Sequence, residues 1–353
     1  MTNALRAGAL TRRTLLGGLA ATACAGRLAA EDKGPSSILS KPQAIEITAR
    51  LLGSFQSSRP DNKRFGDLEY RGGLVLSSAE EHFGGWSGLV MDADGKRLLS
   101  ISDEGAWLSA GVEYAGKAPT ALVRATIGPL LALRGRPLRE KVDQDAESVA
   151  LLEGTLERGT VLVGYERKHR IARCPVRNGE VQAPVDHLPL PPEAGRMPAN
   201  QGLEAVTVIQ AGPLKGSVVA FAERYTRGSG YHTGWVWVNG QPHRIQLRDV
   251  DGFNITDAAG LPDGGLLVLE RYFRWSSGVK MRIRRLAPAE IKPGARLNGH
   301  VVFEGDQAYE IDNMEGIAVH KGARGETVVS LISDDNFNRF MQRTVFLQFT
   351  LVE

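Results

Sequence analysis

From about residue 40 onward the chain alternates short runs rich in Val, Ile and Leu with turn-forming segments, and helical apolar periodicity is nowhere sustained. The runs recur as a two-part unit. Its first half is Glu147-Ser148-Val149-Ala150, Glu204-Ala205-Val206-Thr207 and Glu315-Gly316-Ile317-Ala318, with weaker copies at Ser87-Gly88-Leu89-Val90 and Thr256-Asp257-Ala258-Ala259. The second half is an apolar run closed by an acid, at Asp103, Glu166, Glu223, Glu270 and Asp334. The heads of the first halves lie 60, 57, 52 and 59 residues apart. Turn residues such as Asp94-Gly95 and Pro262-Asp263-Gly264-Gly265 separate the halves, so each unit reads as a β-hairpin.

At least one further strand-like run follows each hairpin, as in Trp235-Val236-Trp237-Val238. Four short strands per repeat arranged around an axis predict an all-β protein, a β-propeller. Five hairpins are countable, and the stretch 65–78 reads as an insertion or as a degenerate sixth blade. The run 344–352 has no following partner and the run 44–52 no preceding hairpin, so the two are expected to pair and close one blade, leaving the ring without exposed edges. The Pro-rich stretch 184–198 reads as a surface loop.

The first thirty residues fall outside this pattern. Arg12-Arg13 leads into an apolar stretch from Leu15 to Ala25, followed by small residues at Ala29-Ala30, which is the layout of a cleavable export signal. The paired arginine resembles the signal of the bacterial twin-arginine translocation (Tat) pathway, making the Tat export machinery an expected partner. Residues 1–30 are therefore read as signal peptide and 38–353 as a single propeller domain, in the periplasm or secreted. Ala21-Thr22-Ala23-Cys24 resembles a lipoprotein box, which leaves open a lipid anchor through Cys24. Later segments are too broken to span a bilayer as helices, so no transmembrane segment is expected in the mature chain.

The formal net charge of +3 depends on this leader. Arg6, Arg12, Arg13 and Arg27 precede the first acid, Glu31; without residues 1–30 the 43 basic residues become 39 against 40 acids, a net of −1. Such a surface has no general pull on a phosphodiester backbone, so nucleic acid is excluded as a partner. The two cysteines, Cys24 and Cys174, exclude a disulfide framework.

The recurring acids carry the candidate chemistry. With the first-half strand innermost, Glu147, Glu204 and Glu315 form a ring around the axis, with Asp103, Glu166, Glu223, Glu270 and Asp334 near the same mouth. So many carboxylates demand compensation. Either a hard cation such as calcium supplies it, or arginines do, and Arg167, Arg224 and Arg271 each follow a second-half acid. In the first case Glu147, Glu204 and Glu315 are catalytic bases or ligands, the five second-half acids complete a metal shell, and the arginines bind a small anionic or ester substrate. In the second case the ring is a mechanical brace in a ligand-binding or scaffold propeller. His169 and His232 are the histidines best placed to reach a cleft, though a solvated loop position is the reading preferred for each. Trp235 and Trp237 read as packing between blades.

Phe83-Gly84-Gly85-Trp86-Ser87-Gly88-Leu89, Ser100-Ile101-Ser102-Asp103-Glu104, Asn200-Gln201-Gly202-Leu203-Glu204-Ala205, Asp312-Asn313-Met314-Glu315-Gly316-Ile317 and Asp334-Asp335-Asn336-Phe337 together resemble the bacterial family called esterase-like activity of phytase. The resemblance implies a β-propeller and a hydrolase of esters or phosphoesters, without fixing catalytic residues. The Asp-Asp-Pro-Ala run of calcium-dependent propeller phytases is absent, which argues against phytate itself as substrate.

Overall fold

A computed structural model describes residues 34–199, 201–223, 230–274, 276 and 278–352. The expected leader, with Arg12, Arg13 and Cys24, lies outside the described residues, as does Arg224. Among the described residues no helix is long and apolar enough to cross a membrane.

The repeats form five sheets, the blades of a five-bladed propeller, antiparallel except where the short edge strand Arg296–Leu297 pairs parallel with Gln241–Arg248 in the third. Their innermost strands are Trp86–Met91, Ala146–Gly154, Leu203–Val208, Asn254–Gly260 and Asn313–Lys321, which are the five first-half runs of the sequence repeat. Each packs against the next and the fifth against the first, closing the ring. Outward from the axis each is followed by the acid-terminated run: Arg97–Ser102, Arg158–Tyr165, Val218–Ala222, Leu266–Arg274 and Thr327–Asp334.

The Val/Ile/Leu-rich runs bury side chains on both faces, because a blade is covered by a neighbour on either side. Five apolar clusters result, one in each seam. Leu99, Ile101 and Trp107 meet Val149 and Val163 between the first and second blades. Trp235 and Trp237 pack with Leu162 and Ile171 between the second and third, the packing role read for them from sequence.

Closure differs in detail from the expectation. The run 44–52 is divided: Gln43–Ile45 adds to the outer edge of the first blade, and Thr48–Leu52 to the outer edge of the fifth. Thr344–Leu351 pairs not with Thr48–Leu52 but with Leu68–Ser77, which lies between them. The stretch 65–78 is thus neither insertion nor sixth blade. It is the fourth strand of the fifth blade, so N-terminal and C-terminal strands do complete one sheet, through this intermediate. Strands from both ends of the domain are locked into one hydrogen-bonded unit, and separating them would expose two sheet edges at once.

Candidate functional site

The innermost strands share one local irregularity. In each, one residue near the start of the strand is skipped in the pairing with the next strand: Ser87, Glu147, Glu204, Thr256 and Glu315; Ala146–Gly154 skips Leu152 as well, further along. These are the five heads of the sequence repeat. A β-bulge leaves the extra residue unpaired and re-aims its side chain. Here it brings Glu147, Glu204 and Glu315 close enough for each to act on another's ionisation.

The residue after each bulge is Gly88, Ser148, Ala205, Asp257 or Gly316. A Cβ at Gly88 would lie 2.9 Å from the Val149 nitrogen, and one at Gly316 2.9 Å from the Leu89 Cβ, so the blades crowd together here. Asp257 is fully buried and accepts the N–H groups of Ala258 and of Ile317 in the next blade, both within 2.9 Å. The backbone of Leu89 in the first blade also hydrogen-bonds to it, so this carboxyl group ties three blades together.

Asp103, Glu166, Glu223 and Asp334 stand opposite Gly85, Asp145, Gly202 and Asn313 at the ends of their strand pairs. In the fourth blade that level pairs Arg271 with Asn254, whereas Glu270 pairs with Ile255 one residue further in. The expected place of Glu270 in the shell is therefore corrected. A one-residue offset turns a side chain to the opposite face of the sheet. Glu270 is fully buried, its carboxylate held by Arg282 at 2.7 Å and by Arg284, away from the other four acids. Arg271 occupies the level expected for an acid, bonded to the Asn313 amide oxygen and 3.3 Å from Glu315.

Counter-charge is distributed unevenly around the mouth. Lys141, on the connection between the first two blades, places Nζ 2.5 Å from Asp103, 2.9 Å from Glu104 and 3.2 Å from Asp145. Arg167, nearly half exposed at the rim, donates Nε to Asp145 at 2.7 Å. Arg271 serves the side of Glu315 and Asp334, and its charged form is favoured by Glu315, Glu223, Asp334 and Glu204 against the opposing effect of burial. Between these cations lie Glu147, Glu166 and Glu204, none with an ion pair to Lys, Arg or His among the described residues.

Their ionisation reflects this. Burial first, and then the charges of Asp103, Asp145, Glu166 and Glu315, raise the pKa of Glu147 well above the usual carboxylate range. Glu204 is raised in the same way, by burial and then by Glu147, Glu223 and Glu166. Burial pushes Glu166 up to about 7 even though it is hydrogen-bonded to Glu204 and to the Gly202 N–H. Glu315 is also raised to about 7, burial outweighing the attraction of Arg271.

Two triads have ligand oxygens all within 4.8 Å of one another: Asp145, Glu147 and Glu166, and Glu166, Glu204 and Glu223. Glu166 belongs to both. Asn254 donates to Glu223 at 2.6 Å while its own amide oxygen is buried without a hydrogen-bond partner. An all-oxygen donor set with excess negative charge suits a hard cation such as calcium.

Asp334 is enclosed by the Asn336 N–H at 2.6 Å and the Asn313 amide, so the Asp334-Asp335-Asn336 run is both a turn and part of the mouth wall. His169 contacts the Met197 carbonyl at 3.2 Å, and His232 is buried with Nδ1 2.6 Å from the Glu223 carbonyl, steadying the segment that carries that acid. Asp145, Lys141 and Asn254 were missed from sequence. Asp145 and Asn254 carry a signal, for both lie two residues before a repeat head, as Gly85, Gly202 and Asn313 do. Lys141 lies in a connection outside the repeat and leaves none.

The sequence profile of the phytase-like family, described as esterase-like activity of phytase, matches residues 81–337. No protein with a curated description matches the chain. Among solved structures, the chain is similar to the β-propeller domain of Cps50 (Swd1) from Myceliophteria thermophila, at 11% identity and TM-score 0.39 over 87% of this chain and 100% of that one. It is also similar to XC5397 of Xanthomonas campestris, described as a gluconolactonase, at 10% identity and TM-score 0.38 over 90% and 99%.

The raised carboxyl groups predict an unusual pH dependence. Glu166 and Glu315 titrate near 7 in the folded protein against 4.5 ordinarily, so their protonation stabilises the fold below about pH 4.5, and that contribution is lost as pH rises through about 7. Thermal melts of cation-free protein between about pH 5 and 8 should show a falling melting temperature, with excess calcium opposing the fall more strongly at the upper end. A cation-free melting temperature that climbs across this interval would contradict the assignment of these acids as mutually repelling.

Proposed function

The chain belongs to the phytase-like family described as esterase-like activity of phytase, and from that membership we propose that it hydrolyses an ester or phosphoester at the acid-lined mouth with the help of a divalent cation, calcium by the chemistry of the donors. The observation that carries this reading is the position of Glu166, shared by two carboxylate triads. Glu147, Glu166 and Glu204 would hold the cation, with Asp145 and Glu223 completing the set. A bound cation supplies polarisation of the ester oxygen and a lowered pKa for an attacking water.

The chain's own groups would do the rest. Glu315, raised to about 7 and outside both carboxylate triads, can take a proton from water and return it to a leaving group. Arg271, fixed by Asn313 and Glu315, presents a guanidinium to an anionic substrate group. Arg167 offers a second cation at the rim. Arg224, assigned the same role from sequence, lies outside the described residues.

The ion pairs of Lys141 and Arg271 also favour a second reading, a non-catalytic ligand-binding or scaffold propeller braced by its charges. Turnover separates the two. Purified protein should hydrolyse p-nitrophenyl esters or p-nitrophenyl phosphate, lose at least tenfold in rate with chelator, and regain it with calcium. No turnover of any of these substrates with calcium present would favour the scaffold.

The proposal extends to location: a twin-arginine leader would carry the chain to the periplasm or beyond, with a lipid anchor at Cys24 an open alternative to full release. Replacing both Arg12→Lys and Arg13→Lys should leave precursor in the cytoplasmic fraction of a bacterial host. Normal export of that double variant would remove the Tat assignment.

A further inference from the structure

We propose that a cleft at the mouth end of the seam between the first and second blades is a separate binding site for a small organic anion with an apolar body, such as a medium-chain carboxylate. The cleft encloses about 420 Å³, within the usual range for a small-molecule site. Leu131, Leu138, Ala172 and Pro184 supply apolar walls. The charged groups beside them are almost all of one sign.

Lys168 is paired with Asp143 at 2.7 Å, so these two cancel. Arg134, Arg136 and Arg170 remain, without a carboxylate within ion-pair distance among the described residues. Arg134 and Arg136 sit on a tight hairpin closed by the bridge between Leu131 and Pro137 and turned at Gly135, whose φ of 74° suits glycine. Arg170 is held more firmly. Its guanidinium lies 3.6 Å from the centre of the buried Tyr165 ring and donates to the Lys168 carbonyl at 3.0 Å and to the Asp143 carbonyl. Two carbonyl oxygens position the guanidinium without neutralising its charge, and they leave further N–H groups to donate.

This combination selects the ligand. A wholly apolar molecule would cover the arginines without compensating them, which costs free energy. A bare inorganic anion would leave the apolar walls wet. A carboxylate on a short hydrocarbon answers both, meeting Arg170 as an acceptor while its chain lies on Leu131 and Leu138. Without a cation the neighbouring acid-lined mouth would repel the same molecule, and none of the residues lining the cleft is assigned to the mouth, so the site stands whether or not the mouth is catalytic.

Calorimetric titration of the purified protein with sodium octanoate and with neutral octanamide tests this. Octanoate should bind once per chain, at least tenfold more tightly than octanamide, and less tightly as salt increases. The exposed pair Arg134→Ser with Arg136→Ser should weaken octanoate at least threefold without altering the melting temperature, and Arg170→Met should weaken it at least tenfold. Glu204→Gln, in the mouth, should leave octanoate binding unchanged. Absence of saturable binding, equal affinity for octanamide, or full retention of octanoate affinity in the double arginine variant would overturn the proposal.

Discussion

A bulge repeated at one level of all five inner strands is the constraint on which the rest depends. Regular pairing would alternate the side chains strictly between the two seams of a blade, leaving none for the axis. By skipping Ser87, Glu147, Glu204, Thr256 and Glu315 in the ladder, the fold frees one side chain per blade at a common height. The crowding just beneath, where Gly88 and Gly316 admit no Cβ and Asp257 binds backbone N–H groups of two other blades, holds these five positions together. Site and scaffold are thus one construction.

The charge balance follows from that geometry. Blades converge, so acids placed at equivalent positions converge too, and the protein compensates them in part with cations of its own. Lys141 reaches in from the connection before the second blade, and Arg271 replaces an acid in the fourth. What has no ion pair among the described residues is the set Glu147, Glu166 and Glu204, where burial and like charge both raise the pKa. The contrast with Glu270 is instructive. There two buried arginines satisfy one carboxylate, an arrangement that binds strands within the fourth blade and offers nothing to a ligand.

Much of this was legible in the chain. The repeat heads, found by sequence similarity, coincide with the bulged residues, because only a position with a distinct geometric task resists the apolar pattern around it. Five hairpins were legible for the same reason, with a sixth blade left open at 65–78. The exchange between Glu270 and Arg271 was not, since an acid ends the apolar run in both registers and only strand pairing reveals which residue stands at the mouth. Nor was the role of 65–78, whose partner lies at the far end of the chain, nor Lys141, whose position depends on how a connection folds. Repetition is visible in sequence, whereas pairing across long separations and contacts from outside the repeat are not.

The central claim is that the carboxylates around Glu166 form a repelling cluster suited to a cation rather than a brace held by arginines. Its most direct measurement is the melting temperature of wild type and Glu204→Gln, each with chelator and with excess calcium. With chelator, removing one clustered charge should leave the variant as stable as wild type or more so, and calcium should raise the wild type more than the variant. A variant destabilised equally in both conditions would contradict the account, because that loss belongs to a broken ion pair and not to a weakened cation site.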